Sequence, residues 1–271
     1  MKKTLSILLA LLLTGILAAC GNEATNDSTL EAAPSESPIE ETTTSETETP
    51  TAELVSIEPE FDLDAGTVTL NNGVSMPILG IGTFALSDSE AEESVYWALR
   101  DGYRLIDTAR IYGDEAGVGR AIRRAIDEGF VTREEIFVTT KMWTSDYDNG
   151  DAAINASLER LGLDYIDLMI LHHSQPENDV AAYKAMEQAV ADGRLKAIGL
   201  SNYYDPDDFD RMVNSTSILP AVLQNETHPY HQSADMKEHI AQYGTVLESW
   251  FPLGGRGNTQ TLFNDPVISA I

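Results

Sequence analysis

Four residues able to move or hold a proton fall where short apolar runs end. Asp107 closes "YRLID", Tyr112 follows five residues on in "TARIYGDE", Lys141 closes "EEIFVTTK" and His172 closes "YIDLMILH". In an α/β barrel the C-terminal ends of the strands share one mouth, and chemistry is built there. A carboxylate, a phenol, an ammonium and an imidazole gathered at such a mouth can protonate a carbonyl oxygen while a separate donor delivers hydride. Each has an ordinary reading when taken singly. Asp107 could cap a helix, Tyr112 could lie on the surface, Lys141 could be a plain strand-end cation, and His172 beside His173 could be a core imidazole or a metal ligand.

The elements that must position these groups are legible in the hydrophobic pattern. Strands are expected at 78–81, 104–106, 136–140, 166–171, 197–200, 221–224 and 245–250, all short and rich in Ile, Val and Leu. Such runs suit strands buried on both faces. Helical periodicity separates them: Ala91, Val95, Ala98 and Leu99, then Val118, Ile122, Ala125 and Ile126, then Ile154, Leu158 and Leu161, then Ala182, Met186 and Val190. Ser87 and Glu90 have capping-box spacing ahead of the first helix. "TVTLNNGVSM" reads as a hairpin turning at Asn71-Asn72-Gly73. Strands alternating with helices give an α/β class, either a barrel or an open doubly wound sheet. The leading hairpin favours a TIM (β/α)8-type barrel with its bottom plugged. By this count the chain ends before an eighth strand, so the last βα unit is expected to be missing.

"GIGTFA", from Gly80 to Ala85, matches a dinucleotide-binding glycine pattern, with Asp107 at the end of the next strand. That motif needs a helix starting at the glycines, so that its N-terminus meets a pyrophosphate. Here the helix starts only after Ser87, so the glycines are read as a tight turn at the barrel mouth.

Residues 1–20 read as a lipoprotein signal peptide. Lys2 and Lys3 precede an apolar stretch, and Leu-Ala-Ala leads into Cys20, the only cysteine of the chain. The stretch is short and wrongly flanked for a membrane span. "LAAC" resembles the bacterial lipobox, which implies lipidation of Cys20 and attachment to a membrane in the cell envelope, outside the cytoplasm. Residues 21–60 carry eleven acidic residues and no Lys or Arg, amid Ser, Thr and Pro. Such a segment is expected to be a disordered tether reaching about 35 Å on average. Of the net charge of −27, −11 lies on this tether and +2 on the leader, leaving −18 for residues 61–271, the barrel domain. That sign argues against nucleic acid as a partner.

Several motifs in order identify what residues 68–271 resemble. "GVSMPILGIGTF", "GYRLIDTARIYGDEAGVGRAI", "FVTTKMW", "DYIDLMILHHSQP", "GRLKAIGLSNY", "LQNETHPY" and "TVLESWFPLGGRG" together resemble the aldo-keto reductases. The resemblance implies NADPH-dependent reduction of a small aldehyde or ketone. It implies Tyr112 as general acid, Lys141 as the cation lowering its pKa, Asp107 as the partner of Lys141, and His172 as a hydrogen-bond donor to the substrate carbonyl. Ser201, Asn202 and Gln224 match positions that bind the nicotinamide carboxamide, and Trp250 stands where a Tyr usually stacks on the nicotinamide ring. Phe84, Trp143 and His173 match substrate-pocket positions.

The chain also departs from the family pattern. "HHSQP" stands where "HWP" is common, and "SWFPLG" replaces "AYSPLG". The basic Lys-Ser…Arg segment that grips the adenosine phosphate lies beyond the eighth strand in the family, so weak NADPH binding and an unclosed sheet are expected. An alternative is a non-catalytic, membrane-tethered remnant, since free NADPH is not expected outside the cytoplasm. A metal-dependent barrel hydrolase would want a His-x-His at the first strand end; "GIGTF" offers no ligand, and no metal is expected.

Overall fold

The protein is represented by a computed structural model, which describes residues 58–255 and 257–271. Cys20 and nearly all of the acidic segment lie outside the described residues.

Three short strands come first: β1 (Glu60–Asp62), β2 (Thr67–Thr69) and β3 (Ser75–Pro77), paired antiparallel in that order. The expected hairpin is β2–β3. The added strand β1 begins at Glu60, one residue before the expected domain boundary, because its backbone pairs with β2 from Glu60 to Asp62. At the tip, Gly73 adopts φ +83°. Asn71, buried, donates to the carbonyls of Pro220 (3.0 Å) and Tyr243 (3.2 Å), fastening the hairpin to the main sheet.

The main sheet holds seven parallel strands in chain order: β4 (Gly80–Gly82), β5 (Leu105–Asp107), β6 (Phe137–Met142), β7 (Ile166–Leu171), β8 (Leu195–Ser201), β9 (Val222–Glu226) and β10 (Val246–Trp250). Helices connect them: α1 (Asp88–Arg100), α2 (Glu115–Asp127), α3 (Gly150–Leu161), α4 (Asp179–Ala191), α5 (Pro206–Ser215) and α6 (Ala234–Ala241), with a short α7 (Thr259–Phe263) after β10. Parallel neighbours in chain order with helical crossovers give the curled sheet of a (β/α) barrel. Five residues separate β4 from α1, and Ser87 caps α1 in a full capping box with Glu90, so the glycines of "GIGTFA" are strand and turn, not a helix N-terminus.

Two apolar clusters sort the strand residues by face. Ile106, Val138, Met169, Leu171, Ile198, Leu200 and Leu223 pack outward with helix residues such as Val95, Ile122, Ile154 and Met186. Leu105, Phe137, Leu168, Ile170, Ala197, Val222 and Val246 pack inward on Val68, Leu70 and Met76 of the hairpin. The hairpin therefore plugs the end where the strands begin. Burying each of the Val, Leu, Ile, Phe and Met side chains among them stabilises the fold by about 1.5–3 kcal/mol. Because strand side chains alternate with period two, the inward phase places Asp107, Lys141, Ser201, Gln224, Glu248 and Trp250 on the interior face, one or two steps beyond the plugged layer.

Candidate active site

Lys141 is the hub of this interior cluster. Its side chain is only 1 % exposed, and Nζ donates to Asp107 Oδ1 (2.5 Å), the Thr108 carbonyl (2.9 Å) and the Tyr112 hydroxyl (3.3 Å). Three acceptors satisfy the three donors of an ammonium. The Nζ also lies 4.9 Å from the centre of the Tyr112 ring. β5 and β6 are adjacent and in register, which brings the Asp107 and Lys141 ends together. Tyr112 reaches them from a 3-10 turn (Arg110–Tyr112), closed by its own N–H to the Ala109 carbonyl and ended by Gly113 in the left-handed region. Buried Asp114 accepts from Thr108 Oγ1 at 2.6 Å and braces that turn.

The electrostatics differ from expectation at one residue. Burial is the largest influence on Tyr112 and raises its pKa; the Lys141 charge and hydrogen bond lower it without reversing the rise. The cation is visible in the sequence but the desolvation is not, and with burial the larger influence the expected net lowering does not occur in this arrangement. For Lys141 burial works against the charge, yet Asp107 and Tyr112 outweigh it and the pKa is raised, keeping the ammonium. Burial, then Lys141 and His173, push His172 down to about 3, so its imidazole is neutral.

His172 follows β7 directly, its N–H bonded to the Met142 carbonyl (3.1 Å), and its Nδ1 is buried without a partner. Its ring sits edge-on to Tyr112 (centroids 5.8 Å) and Trp143 (5.1 Å) and stacks on His173 (5.1 Å). Phe84 lies 5.1 Å from Tyr112 and is 54 % exposed. Phe84, Trp143 and His173 thus wall the same opening, an aromatic surface around one phenol and one imidazole.

The remaining expected residues line the neighbouring strand ends. Ser201 pairs in register with Gln224, and the Asn202 N–H bonds to the Gln224 carbonyl. Asn202, at φ +59°, donates from Nδ2 to the His172 carbonyl (2.8 Å) and to Ser201 Oγ (3.1 Å). Asn tolerates that left-handed conformation better than most residues. Gln224 Nε2 donates to Asp107 Oδ2 at 2.9 Å, tying this group to the Lys141 hub. Trp250 packs against Phe251, and Phe251 in turn approaches Phe84, so rings run from Trp250 to Tyr112. Amides and a hydroxyl beside an indole offer the donors, acceptors and flat surface that a planar ring bearing a carboxamide, such as nicotinamide, would use. Among the described residues no group of His, Cys, Asp and Glu is arranged to hold a metal ion.

Two side chains here escaped the sequence reading. Tyr204 donates to Asn202 Oδ1 (3.0 Å) and accepts from the Glu226 N–H. Glu248 lies on the interior phase of β10. An acid inside the apolar run "TVLESW" was the available signal for it.

The sequence pattern of the Aldo/keto reductase family matches residues 78–266. The chain is similar to morphine 6-dehydrogenase of Pseudomonas putida, 41% identical over 219 residues, covering 75% of this chain and 72% of the relative. It is similar to the NAD(P)H-dependent D-xylose reductase I,II of Candida tropicalis, 33% identical over 243 residues, covering 76% and 75%. Among solved structures, the Bombyx mori aldo-keto reductase in complex with NADP superposes with a TM-score of 0.68 at 33% identity, covering 75% of this chain and 74% of that one.

Proposed function

The chain belongs to the aldo-keto reductase family, oxidoreductases that use NADP(H), and from that premise we propose that it reduces a small aldehyde or ketone to the alcohol with NADPH. The observation that carries the proposal is Lys141 Nζ held between Asp107 and the Tyr112 hydroxyl. Bound NADPH supplies the hydride that no side chain can. Ser201, Asn202 and Gln224 would hold its carboxamide, and Trp250 would face its ring. Tyr112, kept protonated by burial, gives its hydroxyl proton to the substrate oxygen as that oxygen becomes the alcohol. Lys141 stabilises the phenolate left behind, and Asp107 keeps Lys141 charged and in place. Neutral His172 orients the carbonyl by donating an N–H. Phe84, Trp143 and His173 exclude water and give the opening its preference for apolar or aromatic carbonyl compounds.

Tyr112→Phe tests the assignment. General acid catalysis contributes about 10²–10⁴-fold, and a loss of that size in kcat with NADP⁺ affinity unchanged is expected. Reduction of a simple aldehyde at the wild-type rate by Tyr112→Phe would refute the role. A wild-type chain that binds NADP⁺ but reduces no carbonyl compound would favour the non-catalytic tethered reading. The proposed setting is the cell envelope, through lipid on Cys20.

A further inference from the structure

We infer that Glu248 is a positioning residue that fixes which face of the Gln224 carboxamide is turned toward the cofactor side of the site. The inference rests on the proposed contact between Gln224 and the nicotinamide carboxamide.

Glu248 and Gln224 are direct partners in the parallel register of β10 and β9, so their side chains leave the sheet on the same face. That face is the interior, since Val246, two residues before Glu248, packs in the inner cluster. Gln224 Nε2 already donates to Asp107 Oδ2 at 2.9 Å. One primary amide is therefore flanked by two carboxylates, Asp107 from β5 and Glu248 from β10. An ionised carboxylate only accepts, whereas the amide has two N–H donors on one side and a carbonyl on the other. The NH2 end of Gln224 meets Asp107, and hydrogen bonding by Gln224 also lowers the pKa of Glu248; because a carboxylate only accepts, the same NH2 end serves both. The carbonyl oxygen is then left as the acceptor for whatever Gln224 meets at the strand ends, which suits the NH2 of a carboxamide ligand. Asp107 already disfavours the reversed amide, and Glu248 raises that cost, because a reversed carbonyl would then meet a second carboxylate.

The charge state of Glu248 follows from its neighbours. Burial first, and then the Asp107 charge, raise its pKa to about 7, while hydrogen bonding by Gln224 and the Lys141 ammonium hold it down. Its Oε2 is buried without a hydrogen-bond partner. The charged and titratable groups facing it are Asp107 on β5 and Lys141 on β6, with the Gln224 amide on β9. Once protonated, Glu248 can donate as well as accept, and the constraint on the amide relaxes.

Equilibrium binding of NADP⁺, followed by quenching of tryptophan fluorescence from pH 6 to 8.5, tests this without relying on turnover. In Glu248→Gln the new amide can meet either end of Gln224, leaving Asp107 as the one carboxylate that fixes it, and affinity is expected to fall roughly 3- to 10-fold at pH 8, the scale of one net hydrogen bond. The ratio of wild-type to variant affinity should shrink toward one near pH 6, where wild-type Glu248 is itself neutral. Titration of the ligand phosphates cancels in that ratio. Glu248→Asp keeps the carboxylate one methylene short and should keep the pH dependence. Equal affinities of wild type and Glu248→Gln across the range, or a deficit independent of pH, would overturn the inference. Should Glu248→Gln not fold, Glu248→Leu is compared with wild type in the same way, and a wild-type-to-variant affinity ratio that does not change with pH overturns the inference equally. Wild-type protein that binds no NADP⁺ would instead overturn the reading of the site itself, and this inference with it.

Discussion

A buried ammonium is tolerated only when its neighbours answer its charge, and Lys141 meets that condition through Asp107 on the adjoining strand. Removing one member of such a pair strands the other; Asp107→Asn is expected to destabilise the fold by about 3–5 kcal/mol, read as a lower urea midpoint. His172 makes a separate demand. Its pKa is about 3 in the folded chain against 6.5 ordinarily, so below pH 6.5 the unfolded state binds a proton that the folded state refuses. This residue therefore contributes a loss of stability as pH falls from about 6.5 to about 3, with a slope of up to about 1.4 kcal/mol per pH unit. At neutral pH and above it contributes no such penalty. Urea titrations between pH 4 and 7 should show His172→Gln with a slope shallower than wild type by about one proton. Equal slopes would mean that His172 protonates freely in the fold.

At the scale of elements, the strand ends work as a site because the strands lie close and in register. Gly199, in the middle of β8, shows how close. A methyl group there would lie 2.3 Å from the Val222 carbonyl oxygen of β9 and 3.1 Å from Ile170 Cγ2 of β7. Neither a backbone oxygen nor a packed branched side chain can retreat without moving its strand. Gly199→Ala is expected to cost about 1–3 kcal/mol and to shift Ser201 and Gln224, the last of the three residue pairs that join β8 to β9 from Gly199↔Val222 onward. Chemical denaturation gives the first effect. A rise in the NADP⁺ dissociation constant larger than the change in kcat would report the second.

At the scale of the whole molecule, the barrel domain follows an acidic segment and a lone Cys20. No helix among the described residues is long and apolar enough to cross a membrane; the proposed envelope attachment is through lipid at Cys20. Cys20→Ala should abolish acylation and move the protein from the membrane fraction to the soluble one. Mass spectrometry of the mature protein decides it: an intact Met1, or an unmodified Cys20, would rule the attachment out.

Local chemistry determined the features that sequence reading could reach. Ser87 and Glu90 cap α1 because they stand three residues apart, Asn72-Gly73 turns the hairpin because of its backbone freedom, and Asp107, Lys141 and His172 lie at strand ends because each ends an apolar run. The expected strands therefore overlap β4 to β10, and their inward phase was already implicit in the alternation from Leu105 to Asp107. Tertiary structure decided what depends on neighbours distant in the chain. The Gln224 amide is held by Asp107, 117 residues away, and Glu248 was an unremarked acid until β10 placed it beside Gln224. The expected effect of Lys141 on Tyr112 had the right sign, but the net direction was set by how much water the surrounding strands and rings exclude. Burial and cross-strand contact are sums over residues far apart in sequence, and only the folded arrangement fixes them.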